Sequence, residues 1–286
     1  MSKQDKQEDW DQIIYPKGGL LNFKIGEIWQ YKDLVSLFVY RNFVATHKQT
    51  ILGPLWHIIQ PILTTLAFTF IFGEIAKVPT DEVNPFLFYL TSITIWSFFS
   101  RCLTSTSNTF TSNAGIFGKV YFPRLVVPIS NVISALISFF IQFGLLLIVC
   151  VYFYFFKNYP FHLSYHILYI PVILLLMIIL GLGLGILISA LTTKYRDLVF
   201  FINFGVQLIM YVSPVIYSLK SVPEKYKAIA LLNPLSPLIE GFRYSILGTG
   251  LFNEHMLLYS ISITFVVFII GLALFNKVEK TFMDTV

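Results

Sequence analysis

Six stretches of nearly unbroken apolar residues, at roughly 56–76, 86–107, 125–155, 167–190, 198–218 and 256–275, constrain this chain more than any other feature. Each is close to the ~20 residues that an α-helix needs to cross the ~30 Å hydrocarbon core of a bilayer. Inside that core a backbone must satisfy its own hydrogen-bonding groups, and long continuous apolar runs do so as helices. The expectation is an all-α integral membrane protein with six transmembrane helices. Composition agrees, because 12% of residues are charged, about half the ~25% of a soluble domain. The third stretch exceeds what a crossing requires, so it should tilt or extend out of the bilayer. Pro61 and Pro128 are expected near span ends, where a missing backbone donor costs least.

Two segments do not fit a simple crossing. In residues 25–45, Ile28, Tyr31, Val35 and Phe38 recur at helical spacing, with Glu27, Gln30 and Asp33 off that stripe. The apolar part is too short to cross, which predicts an amphipathic helix lying in the cytoplasmic interface. In residues 219–248, two short apolar pieces flank Asn233-Pro234-Leu235-Ser236-Pro237. Two prolines so close forbid one continuous helix, so a short re-entrant pair is expected before the last span. Its marked residues are Asn233, Pro234, Pro237 and Arg243. The organisation is an N-terminal arm over 1–50 and one membrane domain over 51–286. The arm begins polar and mixed in charge, unlike a cleaved signal peptide.

Orientation follows from lysine and arginine placement. With both termini cytoplasmic, 14 of the 20 fall on the cytoplasmic side and 6 outside. The net charge of +5 is thereby accounted for as membrane topology rather than as a nucleic-acid surface. The two cysteines, Cys102 and Cys150, lie in apolar stretches and are not placed for a disulfide.

Reaction chemistry is sparse. No phosphate-cradling G-x-x-x-x-G-K-[ST] stretch occurs, so the chain is not expected to be an enzyme that hydrolyses ATP. Gly-Leu-Gly-Leu-Gly at 181–185 sits inside an apolar run and reads as a helix-packing face, not a dinucleotide fingerprint. His162 and His166 lack the carboxylate or thiolate that would complete a metal site, and no resident cofactor is expected. Charges deep in the spans are nearly absent; Glu74 and Arg101 are the candidates and both lie near span ends, which is not a proton relay and disfavours a secondary transporter. A membrane-embedded enzyme of glycan assembly should show an interfacial carboxylate or metal cluster, and none is evident.

Three segments in order resemble the ABC-2 type permeases that export polysaccharides such as O-antigens, capsules and teichoic acids. The run from Arg41 to Leu63 is similar to the junction leading from the interface helix into the first span, with Lys48, Thr50, Leu52, Gly53, Trp56 and Pro61 in the characteristic places. His47 stands where a tyrosine is common. Residues 115–130, with Lys119, Tyr121, Phe122, Pro123 and Arg124, resemble the cytoplasmic loop after the second span. Residues 222–248 resemble the extracytoplasmic re-entrant element.

The resemblance implies a homodimer in the bacterial inner membrane, paired with two copies of a separate cytoplasmic ATPase that binds the ATP. It implies a lipid-linked glycan as substrate; the alternative within the family is a small lipophilic drug. It implies that the 115–124 loop couples to the ATPase. Physical chemistry adds detail. Gly53 permits a turn or a close helix approach, Trp56 suits the headgroup level, and Tyr121 to Arg124 offer an aromatic anchor, a stiff turn and a cation. Aromatics make up 17% of the chain, and rings can stack on the apolar faces of sugars. Phe68, Phe72, Trp96, Phe201, Phe204 and Tyr211 are the channel candidates.

Overall fold

The computed structural model describes residues 25–48, 50–159, 165–195 and 197–281, so the polar start of the arm, His162 and Arg196 lie outside the described residues. All regular structure among the described residues is helical. The arm contributes α1 (Ile25–Gln30) and α2 (Lys32–His47). A 3-10 turn, Gly53–Leu55, leads into α3 (Trp56–Phe68), which continues as a π-helical stretch over Thr69–Ile75. Then come α4 (Pro85–Ser107), α5 (Thr109–Phe117), α6 (Val126–Lys157), α7 (Tyr169–Thr192) and α8 (Leu198–Val212). The chain closes with α9 (Glu224–Leu232), α10 (Leu235–Leu247) and α11 (Glu254–Thr281).

Among the described residues, five helical stretches are long and apolar enough to cross a membrane: Gly53–Ile75, Pro85–Ser107, Val126–Lys157, Tyr165–Thr192 and Glu254–Glu279. The expected sixth, α8, is apolar but has 15 residues, a rise of about 22 Å. It stops because Ser213 turns extended and Pro214 follows. The third span, α6, runs 32 residues, about 48 Å, and so does outreach the hydrocarbon core as its sequence length implied.

Hydropathy does not distinguish the inner spans from the outer ones. The first and second crossings have similar mean hydropathy, 1.6 and 1.3, yet 11% of the first and 78% of the second are buried within the protein. α4 is the hub, packed against α3, α6, α7 and α10. Glycines set how closely α7 can sit on its neighbours. A Cβ on Gly181 would meet Cys102 Cβ at 2.9 Å, and one on Gly185 would meet Thr106 Cβ at 2.5 Å, both on α4. On another side of α7, a Cβ on Gly183 would lie 2.8 Å from the Phe268 Cα of α11. The Gly-Leu-Gly-Leu-Gly run is thus a packing element that clamps α7 between two helices.

The arm helix α2 is seated by Val35 and Phe38, both buried, against α6, where Ser130 Oγ donates to the Val35 carbonyl at 3.4 Å. Trp29, Leu37 and Tyr40 stay exposed, as a helix lying at an apolar surface requires.

Candidate translocation cleft and its flanking elements

Where the arm enters the first span, Gly53 has φ of +49° and open space around it. Its requirement is therefore a left-handed turn, not a close helix approach. Pro54 opens the 3-10 turn, and Trp56 follows exposed. Lys48 is exposed and ends α2 in extended backbone. Leu52 is half-buried. Pro61 stands inside α3 and buried, not at the helix end where the sequence pattern suggested it.

The loop after α5 divides into an outer and an inner part. Lys119, Val120 and Tyr121 are exposed, with Tyr121 at 73%. Phe122 is 5% exposed and Pro123 is buried. The Phe122 ring centroid lies 5.7 Å from Phe38 of α2 and 5.6 Å from Phe117 of α5. Phe117 in turn meets Phe110, which stacks on Phe275 of α11 at 4.7 Å. Arg124 sits over the Phe117 ring and donates from Nη1 to the Glu279 carbonyl at 2.5 Å. Burial draws the Arg124 guanidinium below its ordinary pKa, and Glu279 opposes that shift. The Phe122 ring thus ties this loop to the interface helix, and Tyr121 is the aromatic presented outward.

Between the arm and the first three spans lies a polar cleft. Its lower part, about 560 Å³, is lined by Arg41 and Asn42 of α2, Arg101 and Ser105 of α4, and Asn131 and Ser134 of α6, among others. Its upper part, about 460 Å³, carries Gln60 and Thr64 of α3, Ser100 and Thr104 of α4, and Gln142 of α6. Arg101 lines both. Asn42 Nδ2 donates to Asn131 Oδ1 at 2.9 Å, and Asn131 Nδ2 donates to the Ser105 carbonyl at 2.9 Å, fixing one wall. The Gln142 Oε1 is buried with no hydrogen-bond partner among the described residues. Neither part is lined by an aspartate or glutamate.

The channel aromatics are not brought together. Trp96 lines the upper cleft and is 6% exposed. Phe68 and Phe72 pack edge-on, and Phe68 also meets Tyr89. Phe201, Phe204 and Tyr211 lie exposed on α8, 71%, 56% and 56% respectively. The polar lining was the feature missed. On α6, Asn131, Ser134, Ser138 and Gln142 recur every three or four residues within an apolar span, and Ser97, Arg101, Thr104 and Asn108 do so along α4 and at its end. That periodicity was the available signal.

Comparison with known proteins identifies this arrangement. The ABC-2 type transporter family profile matches residues 33–247. The chain belongs to that family. It is 31% identical to the O-antigen export system permease protein RfbA of Klebsiella pneumoniae over 253 residues, covering 88% of this chain and 94% of that protein. It is 24% identical to the RfbA permease of Myxococcus xanthus over 235 residues, covering 82% and 85%. This ABC-2 permease is accordingly a multi-pass membrane protein of an exporter family.

The hairpin before the last span of the permease is built around Asn233. Its Oδ1 accepts from Leu235 N at 3.1 Å, capping α10, while its Nδ2 donates to Ser213 Oγ at 2.8 Å. Pro234 precedes α10 and Pro237 occupies its first turn, where no backbone donor is missed. The Pro234 carbonyl accepts from Ser260 of α11 at 2.9 Å. Arg243 and Glu240 form a wholly buried ion pair at 3.2 Å. Arg243 also donates to Ser92 Oγ at 3.2 Å and to the Pro214 carbonyl, and lies 3.9 Å over the Phe88 ring. Burial lowers its pKa, and Glu240 and Asp81 oppose the shift. Glu240 accepts from Leu219 N at 2.8 Å and Leu251 N at 3.2 Å. Gly250, at φ of +127°, leaves room for the carboxylate, since a Cβ there would sit 2.7 Å from Glu240 Oε2. His166, on the neighbouring turn, packs against Tyr165 and Tyr244.

Proposed function

We propose that this permease is the membrane subunit of an exporter that moves a lipid-linked polysaccharide of the O-antigen, capsule or teichoic-acid type out across the bacterial inner membrane. The observation that carries this reading is the similarity to O-antigen export permeases over 88% of the chain. A cleft walled by hydroxyl and amide side chains supports it, because such groups exchange hydrogen bonds with sugar hydroxyls where hydrocarbon cannot. A small lipophilic drug would have little use for that lining.

In this reading two copies of the permease form the path, both termini are cytoplasmic, and two copies of a separate ABC ATPase supply the driving force. Tyr121 and Lys119 present the coupling contact to the ATPase. Phe122, Phe117 and Phe38 relay its displacement to the interface helix, and Arg124 holds the loop to α11. The permease itself makes and breaks no bond. Phe201, Phe204 and Tyr211 on the exposed face of α8 stack on sugar faces once a second copy faces them.

The test is a deletion strain of the source bacterium complemented with the permease and its neighbouring ATPase gene, with surface glycan read by immunoblot. Restoration by the pair, with glycan retained inside the cell when either is missing, is expected. Normal surface glycan in the deletion strain would overturn the reading.

A further inference from the structure

The lower cleft contains two guanidinium groups and no carboxylate among its lining residues. Arg101 lies within the second span, where a central charge costs about 2.5–3.5 kcal/mol on insertion scales and is ordinarily paired. Among the described residues its guanidinium makes no ion pair, hydrogen bond or ring contact. Arg41 reaches only neutral acceptors, Asn42 Oδ1 and Asn113 Oδ1, both at 3.4 Å, and lies 4.5 Å over the Phe38 ring. Among the described residues both cations are therefore without a counter-charge, and the amides of Asn42 and Asn131 are already tied to one another and to the Ser105 carbonyl.

A guanidinium offers parallel N–H donors that match the oxygens of a phosphate, and its attraction strengthens where water is scarce. The lower cleft, about 560 Å³, has the size of a small-molecule site, since such sites run about 300–1,000 Å³. In the upper part, which shares Arg101 with it, the rest of the lining is neutral and includes Gln60, Thr64 and the unpartnered oxygen of Gln142. The order is an oxyanion site followed by a hydroxyl-binding site. α3, which lines this upper part, belongs to a span that is only 11% buried within the protein, so that span faces lipid along most of its length.

We propose that Arg41 and Arg101 bind the phosphate or diphosphate that joins a glycan to its lipid carrier. The lipid chain stays outside in the bilayer, and the first sugars lie against Gln60, Thr64 and Gln142. The proposal rests on the lipid-linked glycan reading above and adds the site that holds the linkage.

The test uses the full-length permease in phosphatidylcholine nanodiscs, with farnesyl diphosphate as probe and binding read by thermophoresis. Saturable binding that weakens as salt rises is expected. Arg101→Gln and Arg41→Gln should each weaken it tenfold or more, and Arg101→Lys should retain part of it, with unchanged thermal unfolding in all three. Farnesol should not compete. Wild-type binding by both glutamine variants would overturn the proposal. So would inorganic pyrophosphate binding as tightly as the probe, which would indicate a soluble anion. Loss of probe binding in nanodiscs that contain phosphatidylglycerol would overturn it too, by assigning the site to bulk headgroups. The export reading fails separately: a permease that binds the probe through Arg101 but restores no surface glycan keeps the site and loses the exporter.

Discussion

The buried pair on α10 gives the sharpest test of what holds the hairpin. Replacing Arg243 by Met removes the only cation that pairs with Glu240 among the described residues and leaves a carboxylate at zero exposure, held by the backbone N–H groups of Leu219 and Leu251. Removing one partner of a buried pair costs about 3–5 kcal/mol, mostly from the charge left behind. Adding Glu240→Gln removes that charge while a carbonyl oxygen remains to accept from Leu219 N. What is then lost is hydrogen bonds and one poorly satisfied amide, about 1–3 kcal/mol. The double variant should therefore be more stable than Arg243→Met alone, by roughly 2 kcal/mol on these figures. Unfolding of the purified permease in mixed detergent and SDS micelles, followed by circular dichroism, measures both. A double variant no more stable than the single one, or a single variant costing under about 1 kcal/mol, would refute the claim that an uncompensated charge is the dominant cost.

Other consequences are simpler to read. Gly271→Val places a side chain where even a Cβ would lie 2.3 Å from the Gly183 carbonyl oxygen, so stability should fall by at least the ~1–3 kcal/mol of ordinary overpacking, measured in the same unfolding assay. Tyr121→Ala should leave the permease's own unfolding unchanged and weaken co-purification with the ATPase by about 2 kcal/mol, as an exposed aromatic anchor would. Phe122→Ala should show the opposite pattern, losing about 3–5 kcal/mol of stability as a buried phenylalanine does. In a background lacking Cys102 and Cys150, Tyr226→Cys on the exposed face of α9 should react with an impermeant thiol reagent from outside the cell; reaction only from the cytoplasm would invert the topology. Ser236 is fully buried and would not report.

The sequence carried the crossings well and their arrangement poorly, for one reason. Lipid tails are as apolar as leucine, so a span facing lipid and a span facing protein show the same hydropathy. The first two crossings illustrate this, alike in composition and opposite in burial. The hairpin was legible because proline and asparagine act locally: Asn233 caps α10 within two residues of itself. The burial of Phe122 was not legible because its partners, Phe38 and Phe117, come from other helices, and a ring next to a proline and an arginine reads as a surface anchor. The aromatic excess drew notice by its abundance, while the cleft rests on serine, threonine and asparagine, whose small side chains hardly lower the hydropathy of a span. Arg101 was visible as a charge toward the end of a span, but its lack of a partner among the described residues is a property of the fold.

The glycine contacts on α7 also bear on how the molecule is made. Chains enter the membrane from the N-terminus onward, so α4 and α7 can meet while α11, the last of the described helices, is still being synthesised. Until it arrives, the backbone at Gly183 lies along an open furrow, because no side chain there covers it. Lipid fills such a furrow badly, and α11 fills it closely enough that Gly271 itself has no space for a Cβ. Without α11 that stretch of α7 backbone faces lipid, and with it the stretch is covered.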